Sequence, residues 1–391
     1  MFITNVLGQS VPRQENEPME PYTPEKLPPK GIYWEQHVPL IGSANRSLAR
    51  YDGVLLGIIN PQVLLSPLAT HEAVLSSRIE GTQASLEDVL EYEAELGEKA
   101  EEDIRDRPQI QEIHEVINYR KAMRAAVGYL ESRPLTVKMI CDLHRILLEG
   151  VRGEKKAPGE IRRIQNYIAP PGTPIERAIF VPPTPPMLMD ALSDWEIYLH
   201  STEKDPLVQL AVLKAQFELI HPFLDGNGRI GRMLVPLILY GKKIITSPNF
   251  YISDYLERNR DVYYERLLAI SQDGDWNGWI GFFLQAVTEQ AELNSRKARA
   301  ILALYDDMKV KVPEITGSRY TIQAIDGIFS RPIFNAREFS KTSAIPKEST
   351  KKMLRELREN EILDVLRQGK GRRPTTYIFS KLIEITLMDT Q

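Results

Sequence analysis

The stretch LVQLAVLKAQFELIHPFLDGNGRIGR, Leu207 to Arg232, decides the fold. Its second half contains Gly226-Asn227-Gly228-Arg229-Ile230-Gly231, formally the G-x-G-x-x-G of a dinucleotide fold. That fingerprint needs a β-strand running into the glycines within a strand–helix–strand unit. Here the residues before the loop are rich in Leu, Ala, Gln, Lys and Glu, which favour helix. A doubly wound parallel sheet is therefore set aside. A Walker loop is excluded too, because the chain has no G-x-x-x-x-G-K-[ST]. What remains is a helix–loop–helix corner, with Pro222 and Gly226 making the turn.

A plain corner does not need a histidine, an aspartate, an asparagine and two arginines together. Backbone N–H groups from Gly226 to Arg229, at the start of a helix, form a nest that attracts an anion. Glycine lets an oxyanion approach the main chain closely. Arg229 and Arg232 are three residues apart, share a helix face, and can hold phosphate oxygens. Asp225 is a hard oxygen ligand suited to Mg²⁺. His221 is the one group here that accepts a proton near neutral pH. These parts fit transfer of a phosphoryl-containing group from a nucleotide to a hydroxyl.

Outward from the motif, apolar residues recur at helical spacing through 108–131, 137–149, 187–201, 207–220 and 229–240. Upstream, Ser66-Pro67 opens a helix that runs through Ile79, Gly81 stops it, and Ser85 with Asp88 starts another by a capping box. The following EDVLEYEAELGEKAEED is an acidic, solvated helix face and loop. One interruption, RRIQNYIAPPGTPIERAIFVPPTPP, reads as a hairpin of QNYIA and AIFV around a Pro/Gly turn. VPPTPP reads as a strand terminator rather than a PxxP ligand. A further helical block covers roughly 254–310.

The tail changes character. FNAREFSKTSAIPKESTKKMLRELRENEIL reads as helix, turn, helix, and DVLRQGKGRRPTTYIF as two strands around a Gly- and Arg-rich tip, the order of a winged helix. Lys347, Lys351, Lys352, Arg355 and Arg358 stud its second helix, and Arg367, Lys370, Arg372 and Arg373 crowd the wing, which would suit contacts to DNA phosphates. The interleaved Glu348, Glu356, Glu359 and Glu361 allow the plainer reading of intrahelical ion pairs.

The whole chain is compatible with these readings. Its 391 residues are 42% hydrophobic and 26% charged, an ordinary globular mixture long enough for two or three domains. A net charge of −4 excludes a uniformly basic, nucleic-acid-coating protein. The one cysteine, Cys141, excludes an internal disulfide and a thiolate metal cage. There is no basic n-region followed by an apolar core at the N-terminus, and no apolar run of membrane-spanning length, so the expectation is a cytoplasmic protein without a membrane partner.

With those residues in view, the chain resembles the Fic/DOC family. HPFLDGNGRIGR matches H-x-F-x-[D/E]-G-N-G-R-x-x-R at every defined position. Fic proteins are mostly AMP transferases that move AMP from ATP to protein hydroxyls and release pyrophosphate. The resemblance implies a mainly α fold: a Fic helical core with a β-hairpin flap, an N-terminal helical region, and a small C-terminal winged-helix domain. The implied division is a Pro-rich lead-in over 1–31, an N-terminal region over 32–107, a catalytic domain over 108–300 and the winged helix over 301–391. Carried residue by residue, it implies His221 as the base, Asp225 as the Mg²⁺ ligand, and Phe223 as the anchor of the loop. Gly226, Asn227, Gly228 and Arg229 would cradle the α- and β-phosphates, and Arg232 the γ-phosphate. Tyr263 or Tyr264, with Ser271-Gln272, would border the adenine. The flap between Arg163 and Val181 would dock a target protein as an added strand, and self-modification is a further expectation.

Upstream, LSSRIEGT fits the family's inhibitory [S/T]-x-x-x-E-[G/N] through Ser76, Glu80 and Gly81. Ser76 and Glu80 share a helix face at i, i+4, and Glu80 paired with Arg232 would take the γ-phosphate's place. The plainer reading leaves Glu80 in solvent near a helix C-terminus. Three alternatives remain open at this point: another nucleotide donor, removal of AMP as well as its transfer, and a DNA-binding regulator with a nucleotide-sensing core. A dimer or larger assembly that locks the inhibitory helix is also expected.

Overall fold

The computed structural model describes residues 20–95, 108–170, 172–371 and 373–389. The first part of the lead-in, the end of the acidic stretch and Arg372 lie outside the described residues. The described chain is mainly α. In order, it forms α1 (Trp34–Leu56), α2 (Pro61–Leu64), α3 (Ser66–Ile79), α4 (Leu86–Glu95), α5 (Pro108–Leu130) and α6 (Val137–Leu147). After the flap come α7 (Leu188–His200), α8 (Pro206–Ile220), α9 (Asn227–Gly241), α10 (Ser253–Arg258), α11 (Arg260–Asp273) and α12 (Trp276–Thr316). The tail adds α13 (Thr321–Ser330), β1 (Ile333–Asn335), α14 (Ala336–Thr342), α15 (Lys347–Glu359), β2 (Asp364–Arg367), β3 (Thr376–Ile378) and α16 (Ser380–Leu387). These fall into two compact units, one of residues up to Ala49, Leu75–Thr82 and Asn118–Ala291, the other of Arg50–Val74, Gln83–Ile117 and Glu292 onward.

The first unit is organised around α8. Asp205 caps its start, accepting from the Leu207 and Val208 amides at 2.9 and 3.0 Å, and Pro206 occupies the first turn. From Leu207 to Ile220 every residue but Glu218 is buried, so the helix is enclosed on all sides. It packs against α7 and α9. Trp195 and Trp279 donate their indole N–H to the Leu213 and Ala211 carbonyls at 2.8 and 2.7 Å. Truncating a side chain such as Leu213 here costs roughly 2–5 kcal/mol through lost burial and a residual cavity.

The hairpin expected between Arg163 and Val181 is barely paired. Its backbone ladder is confined to Ile168 with Phe180 and Ile179. On the far side of that strand, the Tyr22 amide donates to the Val181 carbonyl at 2.8 Å, so the lead-in occupies one edge.

In the second unit, the capping box at α4 is formed: Asp88 accepts from the Ser85 amide at 2.9 Å and Ser85 Oγ accepts from the Asp88 amide at 3.1 Å. Leu86, Leu90 and Ala94 of α4 join Ile333 and Ile383 in one apolar cluster. The tail runs helix, strand, helix, helix, strand, strand, helix, with an antiparallel sheet in the order β1-β3-β2. Several of the basic groups read as phosphate contacts are already committed. Arg367 is held by Glu91 and Glu95, Lys351 pairs with Glu348, and Lys352 with Glu356. Arg355, Arg358, Lys370 and Arg373 are exposed. Among the described residues no helix is long and apolar enough to cross a membrane.

Candidate functional site

All the residues of the site belong to the first unit. His221 is the C-cap of α8 and sits in the left-handed region at φ 49° and ψ 60°, which costs a non-glycine residue roughly 1–2 kcal/mol. That conformation ends the helix and turns the chain into the loop. The His221 Nδ1 lies 3.2 Å from the Glu218 carbonyl, which can only accept, so Nδ1 carries the proton and Nε2 is the basic nitrogen. Burial pushes the imidazole below its ordinary pKa, the hydrogen bond to Glu218 opposing it.

The loop between His221 and α9 is pinned from inside. Phe223 is buried and stacks on His144 with centroids 3.8 Å apart. Asn227 returns to Phe223 twice, Oδ1 accepting from its amide and Nδ2 donating to its carbonyl, each at 2.8 Å. Thus the Asn227 side chain staples the loop, and its contribution to an anion is its N–H. His144 Nδ1 accepts from the Gly159 amide at 2.8 Å, so Nε2 carries the proton and donates to the Asp225 carbonyl at 2.9 Å. Burial holds this imidazole down at about 4, keeping it neutral.

Gly226 precedes α9 at φ 77°, where glycine is unstrained, and supplies no capping side chain. The first-turn amides of α9 are therefore available to an anion at the positive end of the helix. Asp225 Oδ1 accepts from the Gly226 amide at 2.6 Å and from Arg229 at 3.3 Å. Its Oδ2 faces Gly153, where a Cβ would come within 3.0 Å. One carboxylate oxygen thus remains beside a space kept clear by glycine. Among the described residues no group of three or more His, Cys, Asp or Glu could cage a metal. This donor set suits Mg²⁺, which retains waters and takes phosphate oxygens as its other ligands.

Arg232 is fully buried in α9. Its Nε donates to Ser76 Oγ at 3.0 Å, and Nη2 donates to the Ser76 carbonyl and Glu80 Oε1, both at 2.7 Å. Burial raises the Glu80 carboxyl, but the charge and hydrogen bond of Arg232 outweigh it and leave the pKa at about 2. Glu80 also lies against the nest: a Cβ on Gly228 would overlap its carboxylate. Ser76, Glu80, Arg232 and the start of α9 are brought together, the juxtaposition that the family resemblance implied.

A cavity of about 280 Å³ opens beside them, lined by Glu80, His221, Gly228 and, from the flap, Tyr167, Ile168 and Phe180. Its apolar side comes from α11, where Tyr264, Leu267 and Leu268 face inward. Of the two tyrosines expected at the adenine, Tyr264 lines the cavity and Tyr263 does not. Tyr263 is fully buried, its hydroxyl accepting from Lys214 at 2.9 Å and its ring packing on Trp279. Ser271 and Gln272 also lie away from the lining. Arg260, which sequence reasoning passed over, lines the cavity and donates to the Ile79 carbonyl at 2.8 Å, closing the end of α3. Its spacing with Tyr264 and Leu267–Leu268, one α11 face, was the available signal.

The chain matches two models of one family, Fic/DOC family N-terminal over residues 38–128 and Fic/DOC family over residues 134–239, together half of its length. It belongs to the Fic/DOC family. Among its relatives is the protein adenylyltransferase Fic of Drosophila ananassae, 27% identical over 194 residues, covering 48% of this chain and 35% of that protein. The protein of the same name from Drosophila willistoni is 28% identical over 194 residues, with the same coverage. The match thus spans about a third of the length of these curated relatives. A crystal structure of a Fic family protein from Desulfovibrio desulfuricans G20 shares the fold, with a TM-score of 0.57 at 20% identity, over 90% of this chain and 98% of that one.

Proposed function

We propose that this protein transfers AMP from ATP to a hydroxyl on a protein side chain, and that Glu80 holds it inactive. The observation that carries the reading is the convergence of His221, the Gly228 nest and the Glu80–Arg232 pair on one cavity. In the reaction, His221 Nε2 takes the acceptor proton while the hydroxyl oxygen bonds to the α-phosphorus. The bond from that phosphorus to the bridging oxygen breaks, and pyrophosphate leaves. Asn227, Gly228 and Arg229 would receive the developing charge on the phosphates through their amides and the Arg229 guanidinium, and Gly226, whose amide is held by Asp225, would let the phosphates approach the main chain. Asp225 would hold Mg²⁺, which neutralises phosphate charge when bound. Tyr264 and the leucines of α11 would border the base.

Inhibition follows from occupancy. With Arg232 committed to Glu80, its guanidinium is not left for a γ-phosphate, and the carboxylate repels one. A target segment would add at the open edge of the flap. The backbone N–H and C=O groups of Tyr167 and Ala169 point away from Phe180 and make no hydrogen bond among the described residues, whereas the Val181 edge is taken by Tyr22.

The test compares wild type, Glu80→Gly and Glu80→Gly/His221→Ala with labelled ATP and Mg²⁺, scoring label on the chain itself and on lysate proteins. Strong labelling by Glu80→Gly, little by wild type, and a loss of roughly 10²–10⁴-fold on removing the base support transfer and its inhibition. Silence from Glu80→Gly despite ATP binding sinks AMP transfer, and labelling from another nucleotide would reassign the donor.

A further inference from the structure

The first residue of the flap region, Arg162, is buried at 2% exposure, while its neighbour Arg163 points into solvent. Its guanidinium reaches four carbonyl oxygens. Nε donates to His221 at 2.9 Å, Nη1 to Ile164 at 3.3 Å, and Nη2 to Pro183 at 2.5 Å and Ile220 at 3.5 Å. Its backbone amide adds a fifth bond, to the Pro222 carbonyl at 2.9 Å. Among the described residues no carboxylate pairs with it.

A buried cation without a counter-ion needs another source of negative potential. Here the C-terminal carbonyls of α8 supply it, since Ile220 and His221 close that helix. Burial alone lowers the guanidinium pKa to about 10, so it stays charged. The partners matter more than the charge. Ile164 lies in the segment entering the flap, Pro183 in the segment leaving it, and His221 is the proposed proton acceptor. Both stems of the flap and the peptide of His221 hang from one rigid plane. The flap needs such a tie, because its own pairing stops at Ile168 with Phe180 and Ile179.

We infer that Arg162 is a positioning residue that fixes the distance between the flap, where an acceptor docks, and His221, which takes the acceptor's proton. This rests on the proposed transfer reaction for its kinetic consequence but not for its structural one. A lysine carries the charge but lacks the planar fork that reaches Ile164, Pro183 and His221 at once.

The experiment places Arg162→Lys and Arg162→Ala in the Glu80→Gly background. It measures self-labelling with Mg-ATP, the KM and Kd for ATP, thermal stability, and hydrogen exchange of amides 165–169 and 178–181. Arg162→Lys is expected to slow labelling by about 100-fold, the scale of an ångström-level misplacement, with ATP Kd and KM unchanged. The flap amides should exchange about tenfold faster while α8 keeps its protection. Labelling at the parent rate with unchanged flap exchange overturns the inference. So does a parallel loss of ATP binding and thermal stability, which marks a merely structural residue. If the Glu80→Gly parent labels nothing, the transfer reading falls, and flap exchange in Arg162→Lys still decides the tie: faster exchange supports it, unchanged exchange overturns it.

Discussion

Glu80 and Gly228 occupy adjoining space so tightly that a single methyl on Gly228 would overlap the Glu80 carboxylate. The glycine of the nest is therefore required by the Glu80 side chain as well as by any phosphate. A methyl there should destabilise the Glu80 chain by roughly 1–3 kcal/mol, the range for overpacking. In a Glu80→Gly background the same methyl loses its nearest opponent and next meets the end of the Arg232 side chain, at 2.9 Å. A denaturation double-mutant cycle should show coupling of about 0.5–3 kcal/mol between the positions, and additive effects would disprove the contact.

Asn227→Ala removes both bonds to Phe223 and leaves its buried amide unsatisfied, whereas its carbonyl keeps the bond from Asn166 Nδ2 at 3.0 Å. The expected loss is about 1–3 kcal/mol for the amide, read as a lowered denaturation midpoint. An unchanged midpoint would mean that the staple does not bear on stability.

The acidity of Glu80 predicts how inhibition responds to pH. Its pKa is depressed, so the stability of its pair with Arg232 is complete above the ordinary carboxylate value and lost as pH falls toward about 2. Inhibition should thus be flat from pH 8 to 5 in the labelling assay. The Glu80→Gly variant should lose activity only below the ordinary histidine pKa of about 6.5, because burial lowers that of His221. An inflection above pH 7 would contradict this.

His144 makes a separate, global prediction. Its folded pKa is lowered to about 4, so the unfolded chain binds its proton first as pH falls. The stability contributed by the neutral ring is full above about 6.5 and is lost as pH drops from there toward about 4. His144→Gln should flatten that part of the stability profile, measured by chemical denaturation; an identical slope in the variant would count against it.

Much of this was legible in the sequence because it is encoded locally. The motif spans twelve consecutive residues, and the Ser85–Asp88 capping box and the Asp205-Pro206 start of α8 are fixed by neighbours a turn away. What was not legible depends on which way a side chain turns in the packed helices. Tyr263 and Tyr264 are identical in sequence terms, and the contacts of Tyr263 with Lys214 and Trp279 hold it inward. Arg162 and Arg163 are likewise adjacent and chemically alike, yet Arg162 reaches the carbonyls at the end of α8 and Arg163 is exposed. The flap's two apolar segments read correctly as neighbours, but periodicity says nothing about how few bonds join them.

The left-handed backbone of His221 sets folding and chemistry against each other at one position. Glycine there would relieve strain worth roughly 1 kcal/mol, while removing the proposed proton acceptor and its hydrogen bond to the Glu218 carbonyl. Drift would therefore favour the histidine's loss in any lineage that ceased to need the reaction. A selection for stability alone would tolerate variants that have lost His221, so a library of this chain should never be sorted on folding without a parallel readout of the chemistry.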